Sequence, residues 1–366
     1  MGERLMFCAT DAGGARNLAP VAAMAGSCAI VVASETTAPL FAECGIESST
    51  LPIGDAVAAA AVIGRERPAA LICGTSRYIG AERRLTMAAR ASAVPTVAVL
   101  DEWFEYRVRF TDEGGNLAYL AELVCCPDEV ARREAADEGL PASHLLVTGS
   151  PSLSALADRI AGFATNPPPL PEQWRNADAA MRILFLSETH QHDYGSGPDR
   201  PGPLGAWLGY TELDVRAALA RVLLQRGIRC AVVEKLHPSA TESPSPPEPS
   251  PAWQVVDKAP LWPLLWHADV VIGMLSMALL EAALMGHRAL SFQPNLKGAD
   301  RCTAARLGLA DRARSEDELG RWLRSPPRRG AVQRPAFADS RSAGNVLQAA
   351  LRLVCNGATT AIAASS

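Results

Sequence analysis

Short continuous runs of apolar residues recur along the chain, and most are followed by a segment with apolar positions at helical spacing. Such a run, unlike one that alternates with polar residues, is typical of a strand covered on both faces of a parallel sheet. Strand followed by helix, repeated many times, predicts βαβ units and an α/β fold. Strands are predicted at 5–9, 28–33, 69–73, 96–100, 123–126, 145–148, 182–186, 230–234, 270–272 and 289–292, and helices near 17–25, 212–226 and 277–285.

The pattern stops at Asn166–Pro171, which contains three consecutive prolines, and then starts again. Prolines cannot continue a helix and form a semi-rigid spacer. We therefore predict two doubly wound, Rossmann-like domains that face a central cleft. The expected bounds are 1–165 for the N-terminal domain, 166–181 for a Pro-rich linker and 182–340 for the C-terminal domain.

Residues 239–251 read SATESPSPPEPSP and carry too little apolar surface to order themselves. We expect a mobile surface loop, which is either a tolerated insertion or a lid over a site. The small residues from Asn356 onward are expected to fray.

Composition narrows the classes of function. The 366 residues are 48% hydrophobic and 20% charged, typical of a folded protein, and the net charge is -4. Without a basic excess, nucleic-acid binding by bulk electrostatics is not expected. The nine cysteines are scattered without a C-x-x-C pair, which favours reduced thiols in the cytoplasm over a disulfide scaffold. Neither a signal peptide nor a membrane span is expected.

A turn that contains two glycines follows the first predicted strand. Gly13 and Gly14 let a ligand approach the backbone, and the start of the next helix favours an anion. The spacing is not the G-x-G-x-x-G of dinucleotide sites, which counts against a nicotinamide or flavin. Because ligands of α/β sheets lie at the carboxyl ends of strands, we assign both glycines to diphosphate binding and Arg16 to the cleft.

Asp101 and Glu102 end another predicted strand, where a carboxylate is costly to bury without a role. Either could act as a general base, or Arg107 and Arg109 could neutralise both in an ion-pair network. We keep both carboxylates as catalytic candidates and assign Arg107 to the substrate cleft. Three more strand-end residues are assigned to the cleft, with helix capping or a tight turn as their alternative roles: Ser76, Arg77 and Ser150.

The segment after the strand at 182–186 reads Ser-Glu-Thr-His-Gln-His-Asp and holds two of the six histidines. A His-x-His pair can bind a metal, but the His-x-His-x-Asp-His run of metallo-β-lactamase-type hydrolases is not completed here, and no metal site is predicted. We assign Glu188 and His192 to the floor of the cleft and keep His190 as a candidate acid or base.

Lys235 and His237 lie at a strand end beside a proline and suit contact with a phosphate or a sugar hydroxyl. An exposed lysine and a capping histidine are the alternative. We assign both residues to diphosphate binding.

The strongest motif spans Gly273 to Gly286. A strand ends at Gly273, and a helix begins near Ser276 and Met277. We expect the backbone N–H groups and the serine hydroxyl there to hold a diphosphate. Glu281, further along the helix, is expected to accept hydrogen bonds from ribose hydroxyls.

In this order, the motifs resemble those of GT-B fold proteins, the superfamily of nucleotide-sugar glycosyltransferases and non-hydrolysing UDP-N-acetylglucosamine 2-epimerases. The resemblance implies that the C-terminal domain binds the nucleotide diphosphate and the N-terminal domain presents the acceptor or the base. It also implies a last helix, within 341–366, that crosses back to the N-terminal domain. The resemblance spans most of the chain and is carried by Gly13–Gly14, Gly74, Asp101, Thr148–Pro151, Lys235–Pro238 and Gly273–Gly286.

The chain departs from the epimerase pattern at two places. Gly74–Ser76 stands where the epimerases have Gly-Asp-Thr, and His190–Asp193 stands where they have His-Arg-Arg-Glu-Asn. We therefore expect transfer of a sugar from a nucleotide-diphosphate sugar, UDP-linked, to a small-molecule or glycan acceptor, with no obligatory metal or other cofactor. Epimerisation and non-catalytic sugar-nucleotide binding are the alternatives, and a homodimer is left open.

Overall fold

The chain forms two compact units, each built around one parallel sheet. Unit 1 consists of Met1–Asp158 and Arg334–Ser366, and unit 2 of Arg159–Gln333, so unit 2 begins ahead of the proline-rich segment at 166–171. The predicted α/β class with two doubly wound sheets is confirmed. The computed structural model describes residues 3–50, 54–76, 80–175, 181–325 and 330–364.

The sheet of unit 1 has seven strands in its described part: β1 (Leu5–Ala9), β2 (Ala29–Ala33), β3 (Ser49–Thr50), β4 (Ala70–Cys73), β5 (Thr96–Val99), β6 (Leu123–Cys126) and β7 (Leu145–Val147). All pairings are parallel, in the order β3-β2-β1-β4-β5-β6-β7. The strand order reverses between β1 and β4, and ligands of open α/β sheets bind at the carboxyl ends of strands at such a point.

The sheet of unit 2 has six strands in its described part: β8 (Met181–Leu186), β9 (Cys230–Lys235), β10 (Ala252–Val256), β11 (Val270–Gly273), β12 (Arg288–Phe292) and β13 (Asp311–Ala313). These strands are also parallel, in the order β10-β9-β8-β11-β12-β13. The order reverses between β8 and β11, so the segments that follow these two strands are neighbours.

The helices connect successive strands, and side-chain caps define where several begin. Asp11 Oδ1 accepts the Gly14 N–H at the start of α1, and Thr211 and Asp214 form a capping box at α9. The helices are α1 (Ala12–Ala25), α2 (Ala38–Ala42), α3 (Ala56–Glu66), α4 (Ala81–Ala91), α5 (Glu129–Asp137), α6 (Pro151–Phe163), α7 (Glu172–Arg175), α8 (His190–Tyr194), α9 (Glu212–Gln225), α10 (Leu261–His267), α11 (Ala278–Leu284), α12 (Thr303–Arg306), α13 (Glu316–Arg324) and α14 (Ser342–Ala364).

Strand β1 shows why its apolar run is continuous. Phe7 belongs to the core on one face of the sheet, and Met6 and Cys8 belong to the core on the other face. Helix α14 contributes Val346 and Ala350 to the first of these cores, so the C-terminal helix is part of unit 1. Burying a large apolar side chain stabilises a fold by about 1.5–3 kcal/mol, which explains why both faces are apolar.

Two segments that the sequence predicts to be linker or loop make contacts within unit 2. In the predicted linker, the buried Trp174 donates from Nε1 to the Leu264 carbonyl at 3.4 Å. Residues 239–251 form no helix or strand, and Arg216 Nη2 donates to the Ser245 carbonyl at 2.6 Å. Unit 2 therefore includes the linker tryptophan and holds the loop at one backbone position.

Candidate functional site

The first cluster of candidate residues lies in unit 1, at the carboxyl ends of β4 and β5. Asp101 Oδ1 accepts hydrogen bonds from Thr75 Oγ1 at 3.3 Å and from Arg109 Nη1 at 3.1 Å. Arg109 Nη2 donates to Glu102 Oε2 at 2.9 Å, so one guanidinium holds both predicted carboxylates. A further bond of 2.6 Å from Nη1 to the Thr75 carbonyl fixes the arginine. The ion-pair network weighed from the sequence is therefore present, and Arg109 forms it.

Asp101 titrates in an unusual range for a carboxyl group. Its side chain is 11% exposed, and burial raises its pKa to about 7, with additional rises from Glu102 and Asp11 and an opposing effect from Arg109. A carboxyl group that titrates near neutral pH can both accept and release a proton, which is the requirement for general acid–base catalysis. The ion pair with Arg109 is thus compatible with proton transfer by Asp101.

Gly13 and Gly14 permit close packing in the turn after β1. A Cβ on Gly13 would collide with Asp101 Oδ2, and one on Gly14 would lie 3.2 Å from the Cα of Gly74. The Gly14 N–H donates to Asp11 Oδ1 at 2.7 Å. The glycines therefore make room for Asp101 and for the segment after β4, and this amide of α1 is bound to the chain's own carboxylate.

Glu82 of α4 belongs to the same sheet edge and was not predicted. Its carboxylate accepts the Thr10 backbone N–H at 2.5 Å and the Thr10 hydroxyl at 2.7 Å. Burial raises its pKa, and the charge of Asp11 contributes to the rise, as it does for Asp101. A glutamate in the first turn of a helix is common because it suits the helix dipole, so this contact of Glu82 has no signal in the sequence.

Other predicted residues of unit 1 lie elsewhere. The Arg107 guanidinium donates to the carbonyls of Gly115 and Gly139 at 3.0 and 3.2 Å. Ser150 is buried and donates to Asn17 Oδ1 at 3.2 Å. Both side chains are thus held by contacts within unit 1, and their assignment to the substrate cleft stays a prediction. The remaining predictions are Arg16, which is exposed, Ser76, which is half-buried next to Thr75, and Arg77, which lies outside the described residues.

The second cluster lies in unit 2, where the carboxyl ends of β8 and β11 are neighbours. The Glu188 carboxylate accepts the backbone N–H groups of Met274 and Leu275 at 2.9 Å and of Ser276 at 3.1 Å. His190 Nε2 lies 3.0 Å from the other carboxylate oxygen. Met274, Leu275 and Ser276 form the turn between β11 and α11, hereafter the 274–276 turn. The amides that the sequence assigns to a diphosphate are bound to Glu188.

Glu188 is an anion at neutral pH. Burial alone would raise its pKa, but His190 and the amides of Leu275 and Met274 outweigh burial and hold the pKa below its ordinary value. A carboxylate that accepts several N–H bonds is stabilised in its charged form. The 274–276 turn therefore already binds a negative charge.

His190, the candidate acid or base of this segment, is enclosed. The residue is 2% exposed, and its ring packs against the rings of Tyr194 and Tyr210 at centroid distances of 5.6 and 5.4 Å. Its Nδ1 is buried without a hydrogen-bond partner among the described residues. With Nε2 directed at Glu188, the ring is positioned to orient this carboxylate.

A chain of buried polar side chains supports the 274–276 turn from behind. Ser291 Oγ donates to the Met274 carbonyl at 2.7 Å, and Gln293 Nε2 donates to Ser291 Oγ at 2.6 Å and to Asp300 Oδ1 at 2.8 Å. Arg314 pairs with Asp300 at 3.1 Å. The Met274 carbonyl of the turn is therefore held by contacts that do not involve Glu188.

Lys235 and His237 bind the chain's own backbone and side chains. Lys235 Nζ donates to the carbonyls of Leu236, at 3.0 Å, and Asp257. His237 Nδ1 accepts the Ser239 N–H at 3.2 Å and contacts the Ser239 hydroxyl at 2.6 Å. The proton of the neutral ring is then on Nε2, which leaves that atom as the donor of His237. Burial lowers the pKa of Lys235 and of the His237 ring.

Glu281, predicted to bind ribose, accepts a hydrogen bond from Trp262 Nε1 at 2.8 Å. The Arg159 guanidinium lies 3.9 Å from the centroid of the Trp262 ring. Glu281 is therefore part of a contact between α10 and α11. The other predicted residues of unit 2 are Gly273, which ends β11, Met277, which precedes α11, and His192, which is exposed beside Asp193.

Among the described residues, no group of three His, Cys, Asp or Glu side chains is arranged to hold a metal ion. None of the described helices is both long and apolar enough to cross a bilayer.

No protein-family model and no curated protein matches the sequence. Solved structures match its fold. A UDP-GlcNAc 2-epimerase from Neisseria meningitidis bound to UDP-GlcNAc has a TM-score of 0.66 at 12% identity, covering 95% of this chain and 100% of that one. A UDP-N-acetylglucosamine 2-epimerase from Rickettsia bellii has a TM-score of 0.63 at 14% identity, covering 97% of both chains.

The glycotransferase of kitacinnamycin is similar at a TM-score of 0.56 and 12% identity, covering 97% of this chain and 96% of that one. Epimerases and a glycosyltransferase are thus similar to the same chain over nearly its full length. The GT-B fold inferred from the motifs is confirmed.

Proposed function

We propose that this chain is a nucleotide-sugar enzyme that inverts carbon 2 of a UDP-linked N-acetylamino sugar. The sequence departures at Gly74–Ser76 and His190–Asp193 favoured sugar transfer. The fold neighbours favour the epimerase alternative, since two of the three described above are UDP-GlcNAc 2-epimerases and one of these holds UDP-GlcNAc.

Asp101 is the observation that carries the proposal. Inverting a carbon that bears a hydrogen requires removal of a proton from one face and its return to the other, so the enzyme needs a group that exchanges protons near pH 7. The pKa of Asp101 is about 7, and Arg109 orients its carboxyl group from 3.1 Å. Asp101 serves one of the two faces, as the base when ionised or as the acid when protonated, and a second group must serve the other face.

Sugar transfer is the second candidate, favoured by the fold shared with the glycotransferase of kitacinnamycin. In that reaction Asp101 deprotonates an acceptor hydroxyl, and the sugar nucleotide stays unchanged until an acceptor is added.

Incubation with UDP-GlcNAc in deuterated buffer, followed by proton NMR, separates these functions. Epimerisation gives the carbon-2 epimer with deuterium at carbon 2 and needs no acceptor. Release of UDP only when an acceptor is present indicates transfer and refutes the epimerase proposal. Binding without turnover indicates a sugar-nucleotide-binding protein and refutes both enzymatic functions.

Two variants test the role of Asp101. Asp101→Asn is expected to slow turnover by about 100-fold or more, the usual contribution of a general acid–base group. Asp339→Asn is the matched control, because Asp339 pairs with Arg341 on the surface and is expected to leave turnover unchanged. Equal rates for wild type and Asp101→Asn would show that another group moves the proton.

A further inference from the structure

We propose that Glu188 is an intramolecular competitor for anionic ligands: its carboxylate occupies the amides of the 274–276 turn, and a phosphate group gains these amides only when Glu188 moves away. That the phosphate belongs to a sugar nucleotide rests on the proposed function. The competition itself follows from contacts within unit 2.

The contacts of Glu188 are those of a bound anion. Oε1 accepts three successive backbone N–H groups, and Oε2 accepts Leu275 N at 3.1 Å and lies 3.0 Å from His190 Nε2. Successive amides that converge on one point form a concave site for an anion, as in phosphate-binding loops. Met274, Leu275 and Ser276 precede α11, which begins at Ala278, so the turn itself makes this concavity.

Each backbone N–H has one hydrogen to donate, and all three are directed at Glu188. A phosphate oxygen at the same point would meet the Glu188 carboxylate at a distance where two negative charges repel. The tethered carboxylate is also present at an effective concentration far above that of a dilute free ligand. Wild-type protein is therefore expected to bind anions weakly at this turn.

Removing the Glu188 side chain is expected to leave the turn in place. Ser291 Oγ holds the Met274 carbonyl at 2.7 Å, and Gln293 supports Ser291 from 2.6 Å. Neither bond involves Glu188. The variant should leave three part-buried N–H donors without their acceptor, and unpaired donors gain from any anion that reaches them.

The test uses Glu188→Ala with inorganic phosphate as the probe and thermal unfolding as the readout. We expect the variant to have a lower Tm than wild type and to recover part of the loss when phosphate is added. Phosphate also stabilises folded proteins in general, by exclusion from their surfaces. Leu279→Ala, a cavity variant in the core of α11, is the matched control for a destabilised unit 2 and should respond to phosphate only as wild type does. An equal response in all three proteins would overturn the proposal.

Calorimetric titration with UDP gives a second readout, and Glu188→Gln serves if the alanine variant does not fold. Both variants should bind UDP about tenfold or more tightly than wild type, because the tethered charge is gone. Weaker binding by the variants would mean that Glu188 contributes to the ligand site, which contradicts competition. A phosphate response of Glu188→Ala without any turnover of UDP-GlcNAc by wild type refutes the proposed function and leaves the competition intact. Turnover by wild type with no phosphate response refutes only the competition.

Discussion

Asp101→Asn should change how the stability of the protein depends on pH. In the folded chain burial raises the pKa of Asp101 from 3.8 to about 7, whereas the unfolded chain exposes the same group to water. Between these values the folded state holds a proton that the unfolded state has lost. Asparagine keeps an oxygen for Arg109 and Thr75 to donate to but does not titrate, so it removes this difference.

The direction and the size of the change in unfolding free energy follow from the folded and unfolded pKa values of Asp101. A raised pKa gives stability that is fully present below the unfolded value and is lost as the pH rises through the folded value. Between the two pKa values the wild type loses about 1.4 kcal/mol of unfolding free energy per pH unit. Over this interval of roughly three pH units the total loss is about 4 kcal/mol. Asp101→Asn should therefore gain stability relative to wild type from about pH 4 to pH 7, and the gain should level off above pH 7.

Chemical denaturation of wild type and Asp101→Asn from pH 5 to 8.5 measures this difference. Asp339→Asn is the control, because the hydrogen bonds from Arg341 lower the pKa of Asp339 to about 2. Asp339 is then ionised above pH 5 in both the folded and the unfolded protein. The difference in unfolding free energy between Asp339→Asn and wild type should therefore not vary with pH. If the difference in unfolding free energy between wild type and Asp101→Asn also does not vary with pH, Asp101 does not titrate near neutral pH. That result would contradict its proposed acid–base role.

Three further substitutions test other parts of the structure. Glu234→Ala leaves Arg216 buried without its carboxylate, whose oxygens lie 2.8 Å from Arg216 Nε, and denaturation should show a loss of about 3–5 kcal/mol. Thr211→Ala removes the capping box of α9 and should cost about 1 kcal/mol in the same assay. Gly13→Ala directs a Cβ at the Asp101 carboxylate, so turnover of UDP-GlcNAc should fall sharply while circular dichroism stays that of a folded protein.

The strands that the sequence predicted are those with sheet neighbours on both sides, together with β7. The inner strands have continuous apolar runs because both faces of the sheet are covered, and this is a local signal. β7 was predicted from the same kind of run although its Leu146 and Val147 are exposed. The three strands that were missed, β3, β10 and β13, are all at sheet edges. Edge strands need less apolar character: both residues of β3 are exposed, and so are two of the three residues of β13. Only their pairing with an inner strand makes them strands.

Among the candidate residues, too, some carry a local signal in the sequence and others depend on contacts between distant segments. Asp101 could be chosen as a candidate because a carboxylate directly after an apolar strand is unusual, and this signal does not depend on contacts with distant segments. The partner of Glu188 could not be predicted, since Glu188 and the 274–276 turn are 86 to 88 residues apart. Only the adjacency of β8 and β11 brings them together. The sequence therefore identifies groups that can bind an anion and does not reveal which anion they meet.

Both units place one of their own carboxylates where a ligand anion was expected. In unit 1 Asp11 accepts the Gly14 N–H at the start of α1, and in unit 2 Glu188 accepts the amides of the 274–276 turn. A glycine turn or a cluster of amides is thus necessary for anion binding but is not sufficient, because a nearby carboxylate satisfies the same donors at no cost in translational entropy. A residue in the segment after the neighbouring strand decides whether the donors are available. In this chain that residue is Glu188, so its charge, and not the amide cluster alone, sets the affinity of unit 2 for phosphate.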